Sequence, residues 1–174
     1  MGNIIATPHF NDTFEQIYHD LAYNYGCTYM SYVFEHHGHR VTHATNKEWN
    51  SIYFGDNLLD RCALFRVGKH FMTRKGCFET VFRWNDIKTV STDEHEINGI
   101  RTEFKIHNGL SFGKSYHGSK EFLGLATDKG HTDFPQLLLM NKPEMDWFLM
   151  RMRRVAFRER MMQKCFLTNR KLRN

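Results

Sequence analysis

Trp49, Tyr53 and Trp84 combine apolar bulk with a single polar hydrogen. Trp49 and Tyr53 stand four residues apart, which on a helix places them on one face. Trp84 sits in Phe82-Arg83-Trp84-Asn85-Asp86. Such side chains can orient a small ligand with a polar head inside an apolar pocket. Taken alone, an aromatic pair at this spacing favours core packing over ligand contact. Four thiols, Cys27, Cys62, Cys77 and Cys165, form no C-x-x-C pair. A thiol nucleophile would need a histidine, with Cys62 or Cys77 beside His70 the pairing on offer, but no catalytic signature surrounds either thiol. Inert, buried thiols are the better reading. His36, His37 and His39 cluster near His43 without a cysteine close by, so a solvated turn is favoured over a zinc site. The chain has no phosphate-cradling glycine loop and no H-E-x-x-H. No catalytic residue, metal or cofactor is expected, and the chain reads as a binding protein rather than an enzyme.

The elements that would position these residues follow from periodicity. Residues 12–25 read as an amphipathic helix, capped at Asp12 or Thr13, with Phe14, Ile17, Leu21 and Tyr25 on one face and Gly26 past its end. Residues 27–35 read as a strand, His36-His37-Gly38-His39 as a turn and residues 40–45 as the returning strand. Asn46 caps a short helix holding Trp49, Ile52 and Tyr53, and Gly55 stops it. A short helix is expected near residues 57–65, a loop from Gly68 to Gly76, and an extended piece over residues 78–84. Ser91 or Thr92 caps a helix to about Ile106, with Ile97, Ile100 and Phe104 on one face and Asn108-Gly109 ending it. Residues 110–117 and 122–127 form strands joined at Gly118-Ser119. Residues 128–141 read as a loop with an apolar patch, and Pro143 opens a long helix to about Lys164. This order predicts an α+β fold, an α-β-α sandwich of the sensory type around a central, mostly antiparallel sheet, with a cavity possible between sheet and helices.

Bulk properties agree with one such domain. The chain has 174 residues, 41% of them hydrophobic and 14% aromatic, enough apolar material for a substantial core. No run approaches the roughly 20 apolar residues of a membrane span. The start, Met1-Gly2-Asn3-Ile4-Ile5-Ala6, lacks a secretory pattern, and Ala6 stands where a myristoylation site wants Ser or Thr. Scattered thiols without an export signal suggest reduced, cytoplasmic protein. Charge is uneven. Residues 151–174 carry nine basic side chains against one acid, while the rest carries 15 basic and 18 acidic. A solvated helix end and a phosphate-contacting tail account for that segment equally well.

Several segments, in order, resemble LuxR-type quorum-sensing regulators, transcription factors with an N-terminal acyl-homoserine-lactone-binding domain. Trp49-Asn50-Ser51-Ile52-Tyr53-Phe54, followed by Asn57-Leu58, is similar to that family's W-x-x-x-Y segment. Trp84 resembles its second pocket tryptophan. Gly109-Leu110-Ser111-Phe112-Gly113 resembles its G-x-S-x-P approach to the central strand, with Gly113 where proline is usual. Tyr116-His117-Gly118 followed by residues 122–127 resembles its last hairpin. Leu167-Thr168-Asn169-Arg170 resembles the L-T-x-R-E that opens its helix-turn-helix. The likeness implies an autoinducer-binding-like domain over residues 1–165 and a basic linker, or the start of a helix-turn-helix, over residues 166–174.

The resemblance also implies site roles. Trp49 would hydrogen-bond a lactone carbonyl and Tyr53 an amide carbonyl, with Trp84 and Ser111 completing the pocket. The family's aspartate, which accepts from the amide N–H, falls at Cys62, and a thiol is a weak acceptor. Asp60 lies two residues earlier and would serve only across a gap. The polar residue expected on the last strand falls at Gly124. An unpaired amide N–H would cost about 1–3 kcal/mol, roughly ten- to hundredfold in affinity. The expected partner is therefore a small amphiphilic signal, an acyl-homoserine lactone or an altered ligand, bound by a homodimer that touches DNA only through an absent helix-turn-helix. A naturally truncated regulator, acting by pairing with full-length relatives, is the alternative.

Overall fold

The computed structural model describes the backbone over residues 8–56, 58–74, 78–116 and 118–171, and side chains within residues 11–158 of those segments. Met1–Ala6, Asn57, Cys77, His117 and the side chains of Cys165 and Leu167–Arg170, all singled out above, lie outside it.

Local sequence explains most elements. Helix α1 spans Pro8–Tyr25 and buries Phe14, Ile17 and Leu21. It begins four residues before Asp12, so Asp12 and Thr13 lie within the helix rather than capping it. Gly26 follows at φ +69°, the left-handed conformation that ends a helix cheaply only at glycine. Strands β1 (Tyr29–His36) and β2 (His39–Ala44) form a hairpin around Gly38. Asn46 caps α2 (Lys47–Asn50), its side chain accepting from the Trp49 N–H at 2.9 Å. The chain continues as a π-helical turn, Ser51–Gly55, and a 3₁₀ turn, Leu58–Arg61.

Helix α3 (Ala63–Thr73) corrects the expected loop from Gly68. Gly68 lies inside the helix, where a β-carbon would meet the Phe122 ring at 2.6 Å. It permits close helix–sheet approach rather than marking a break. Strand β3 (Glu79–Arg83) leads into a 3₁₀ turn, Trp84–Asp86. Ser91 caps α4 (Thr92–Glu103), accepting from the Glu94 N–H at 3.2 Å. Strands β4 (Gly109–Tyr116) and β5 (Ser119–Ala126) form the last hairpin. Residues read above as a loop contain α5 (Phe134–Met140), with Pro135 in its first turn. Seven residues are too few to display a helical period, which hid it. Helix α6 runs Lys142–Lys171, past the expected end near Lys164.

The five strands make one antiparallel sheet in the order β2-β1-β5-β4-β3. Helices α1, α5 and α6 cover one face. Phe14, Met30, Tyr32, Phe34, Leu110, Phe112, Leu123, Leu125, Phe148 and Met152 form a continuous core there. The α2–α4 segment covers the other face, with Tyr29, Trp49, Tyr53, Cys62, Phe82, Trp84 and Ile97 in a second cluster. The α-β-α layering inferred from element order is the observed architecture. Among the described residues, no helix is long and apolar enough to cross a membrane.

Candidate functional site

Alternation along the strands decides where space is left. Residues facing α2–α4 come from every second position. Across β1, β5 and β4 they stack in register as Ser31, Gly124 and Ser111, with Phe82 of β3 beside Ser111. Small side chains in the sheet centre leave a floor without bulk. Above it lies a cavity of about 80 Å³. By the same measure a water needs about 10–15 Å³, so the space exceeds an ordinary packing defect.

The cavity roof comes from α2, the two tight turns and α4. Trp49 and Tyr53 stack face to face, ring centroids 4.8 Å apart and planes 20° from parallel. Trp84 lies over the floor. A β-carbon on Gly109 would come within 2.3 Å of its indole, and one on Gly124 within 3.2 Å. Both glycines are therefore required by the ring's position rather than by backbone conformation. Leu59, Phe65, Phe82 and Phe122 complete the apolar wall.

Several polar groups also line the cavity. Trp49 Nε1 donates to the Tyr29 hydroxyl at 3.1 Å, and Trp84 Nε1 donates to Ser111 Oγ at 2.8 Å. Tyr53 is hydrogen-bonded to Cys62. Burial pushes the Tyr29 phenol up to about 12, and burial, with Cys62 beside it, holds Tyr53 well above the usual phenol range. Both stay protonated donors at neutral pH. Two charged residues reach the cavity. Glu94 accepts from Arg66 Nη2 at 3.2 Å and from the Val90 N–H at 2.7 Å, and the Arg66 guanidinium holds its carboxyl below the usual range. Arg101 differs. Its guanidinium lies 5.0 Å from the Trp84 ring centroid and donates to Asn98. Its Nε is buried without a hydrogen-bond partner, and among the described residues no carboxylate pairs with it.

The structure brings Trp49, Tyr53, Cys62, Trp84 and Ser111 to this one cavity. Asp60 is the exception and the correction. It sits on the 3₁₀ turn with its side chain 53% exposed, 3.7 Å from Arg40, in a neighbouring surface groove. The turn rotates Cys62 inward and Asp60 outward, so no gap brings the carboxylate into the site. Gly124 lies on the floor, where the expected polar side chain is replaced by space. Tyr29, Asn98 and Arg101 were not anticipated. Arg101 follows Ile97 by four residues, so a cation on the buried stripe of α4 was the available signal.

Among the described residues, Cys62 and His70 do not come together. His70 lies in the surface groove rather than the cavity, and no histidine lines the cavity among the described residues. Cys27 is buried under α1, its thiol pushed up to about 12 by burial. Of the clustered histidines, His36 contacts Ser119 and Phe157, and His43 packs edge-on against Phe14. No three potential metal ligands come together among the described residues.

No protein-family profile and no curated protein sequence matches the chain. Solved structures do match. SdiA from Escherichia coli aligns over 90% of this chain at 14% identity and a TM-score of 0.61, and the match spans 63% of the SdiA chain. The ligand-binding domain of VqsR from Pseudomonas aeruginosa aligns over 86% of this chain and 99% of its own, at 12% identity and a TM-score of 0.57. CepR2 from Burkholderia cenocepacia, an N-acylhomoserine-lactone-dependent LuxR-family transcription factor, aligns over 85% of this chain and 90% of its own, at 15% identity and a TM-score of 0.53. SdiA is also solved in complex with octanoyl-rac-glycerol. Among the described residues, six helices around a five-stranded antiparallel sheet, in this order, give the chain the fold of a LuxR-type autoinducer-binding domain.

Proposed function

We propose that the chain is the signal-sensing domain of a LuxR-type transcriptional regulator and binds a small amphiphilic molecule between the sheet and the α2–α4 layer. It performs no chemistry on that molecule. The observation that carries the reading is the cavity between the Trp49–Tyr53 stack and Trp84, kept open by Ser31, Gly124 and Ser111. A core built only for stability would fill that space, because unfilled volume forfeits dispersion contacts.

The apolar wall suits an acyl chain, and the polar groups in the lining suit a polar head. A ligand there would bridge two layers that otherwise meet across a gap. It would stabilise the folded state by mass action, by about 2.7 kcal/mol at a concentration one hundred times its dissociation constant. The LuxR-type structures that share this fold include one dependent on N-acylhomoserine lactone and one holding a monoacylglycerol, two amphiphiles of the same general shape. The test is thermal melting of the protein with acyl-homoserine lactones, monoacylglycerols and fatty acids of graded chain length. A rise in melting temperature that tracks chain length is expected. No shift with any of them would sink the reading.

A further inference from the structure

We propose that the head of the natural ligand is anionic, a carboxylate received by Arg101. This rests on the signal-sensing reading and specifies the chemistry of that site.

Two changes among the polar groups point the same way. The position where the LuxR-type pattern has an acidic acceptor is Cys62, which carries no charge to receive an amide N–H. Arg101 adds a cation from the opposite wall. Its neighbours are the Cys62 side chain and the Tyr29 and Tyr53 hydroxyls, the two phenols both held protonated by burial. Asn98 and the Trp84 ring hold the guanidinium in place but supply no counter-charge. The other arginine near this site, Arg66, is paired with Glu94, which leaves that carboxylate unavailable to Arg101.

A cation in the last turn of α4 is favoured by the helix dipole, but that preference is met equally well in solvent. Turning the side chain inward, with Nε buried and unbonded, has a desolvation cost that an anionic partner would offset. A planar fork of N–H donors matches the two oxygens of a carboxylate. A lactone or a glycerol head presents neutral acceptors and leaves the charge uncompensated.

Two sources present this chemistry: a free fatty acid and a ring-opened acyl-homoserine. Calorimetric titration of the full chain with decanoate, N-decanoyl-homoserine, N-decanoyl-homoserine lactone and decan-1-ol, all below their micelle concentrations, separates them. At least one carboxylate is expected to bind about ten- to hundredfold tighter than both neutral molecules. The tighter of the two carboxylates identifies the source. In Arg101→Met the ratio between the better carboxylate and decan-1-ol is expected to fall to near unity. Arg101→Lys, which keeps the charge but loses the fork, is expected to retain part of it. Neutral molecules binding the native protein as tightly as the carboxylates would overturn the anionic head and leave the sensing function standing. A ratio unchanged in Arg101→Met would overturn the role of Arg101. Binding of none of the four would overturn both readings. The native series decides the head-group charge even if Arg101→Met fails to fold, which circular dichroism would report.

Discussion

The two faces of the same three strands carry side chains of opposite size. Toward α1, α5 and α6, strands β1, β5 and β4 present Met30, Tyr32, Phe34, Leu123, Leu125, Leu110 and Phe112, all buried. Toward α2–α4 they present Ser31, Gly124, Ser111 and Gly113 at the sheet centre, with Tyr29, Val33 and Phe122 around them. The first face is filled as a stable interior must be. The second is lined at the centre by groups too small to fill it and roofed by aromatic rings too rigid to collapse into it. Close packing and open space are thus divided between the faces of one sheet, and under the proposed function so are stability and binding.

The largest test of that division is a pair of truncations. Phe148→Ala on the filled face is expected to cost about 3–5 kcal/mol in urea unfolding, the range for removing a buried aromatic ring. Phe82→Ala beside the cavity is expected to cost less than half as much, because that ring already lacks packing atoms on one side. Equal losses would break the comparison.

A smaller effect sharpens it. Gly109→Ala forces the Trp84 ring to move, since the new methyl would lie 2.3 Å from it. A loss of about 1–3 kcal/mol is expected from overpacking. The amphiphile-induced rise in melting temperature is expected to vanish in the same variant. Retention of the full rise would show that Trp84 does not define the cavity.

The smallest effect is electrostatic. Glu94, on the cavity side, has a carboxyl held low chiefly by Arg66, so its contribution is present above the ordinary carboxylate range and lost as pH falls through the lowered value. Glu121, on the filled side, is raised by burial despite Arg153 and Tyr32. Its sign is opposite: the stabilising form is the protonated one, and that contribution is lost as pH rises through the raised value. Melting of Glu94→Gln between about pH 3 and pH 7 is expected to converge on the native curve at the acid end. The difference at neutral pH should stay below about 1 kcal/mol, because Arg66 is partly solvated. A constant offset across the range would exclude the ion pair as its source.

Local features of this architecture were legible in the sequence where the physics is local. The Asn46 cap, the Gly26 stop and the turn at Gly118 need only their immediate neighbours. The Trp49–Tyr53 pair followed from helical spacing, and the family pattern added Trp84 and Ser111. Gly68 misled because a glycine serving a distant ring looks the same as one ending a helix. Asp60 misled because a 3₁₀ turn changes which of two nearby residues points inward. Arg101 was invisible because a basic residue on an amphipathic helix ordinarily faces water. Only its position on the Ile97 stripe distinguished it, and that matters only once the opposite wall is known to lack an acid.

Strand β5 belongs to both faces at once. Phe122 and Gly124 look into the cavity, while Glu121 between β1 and α6 accepts from the Tyr32 hydroxyl at 2.9 Å and from Arg153 Nε at 3.0 Å. The strand is hydrogen-bonded on both sides to β1 and β4, so it has no free edge to absorb a displacement. A molecule seated on Gly124 and a helix held by Glu121 therefore act on one piece of backbone. Any coupling that the strand carries between the two would be reciprocal, each affecting the other by the same factor.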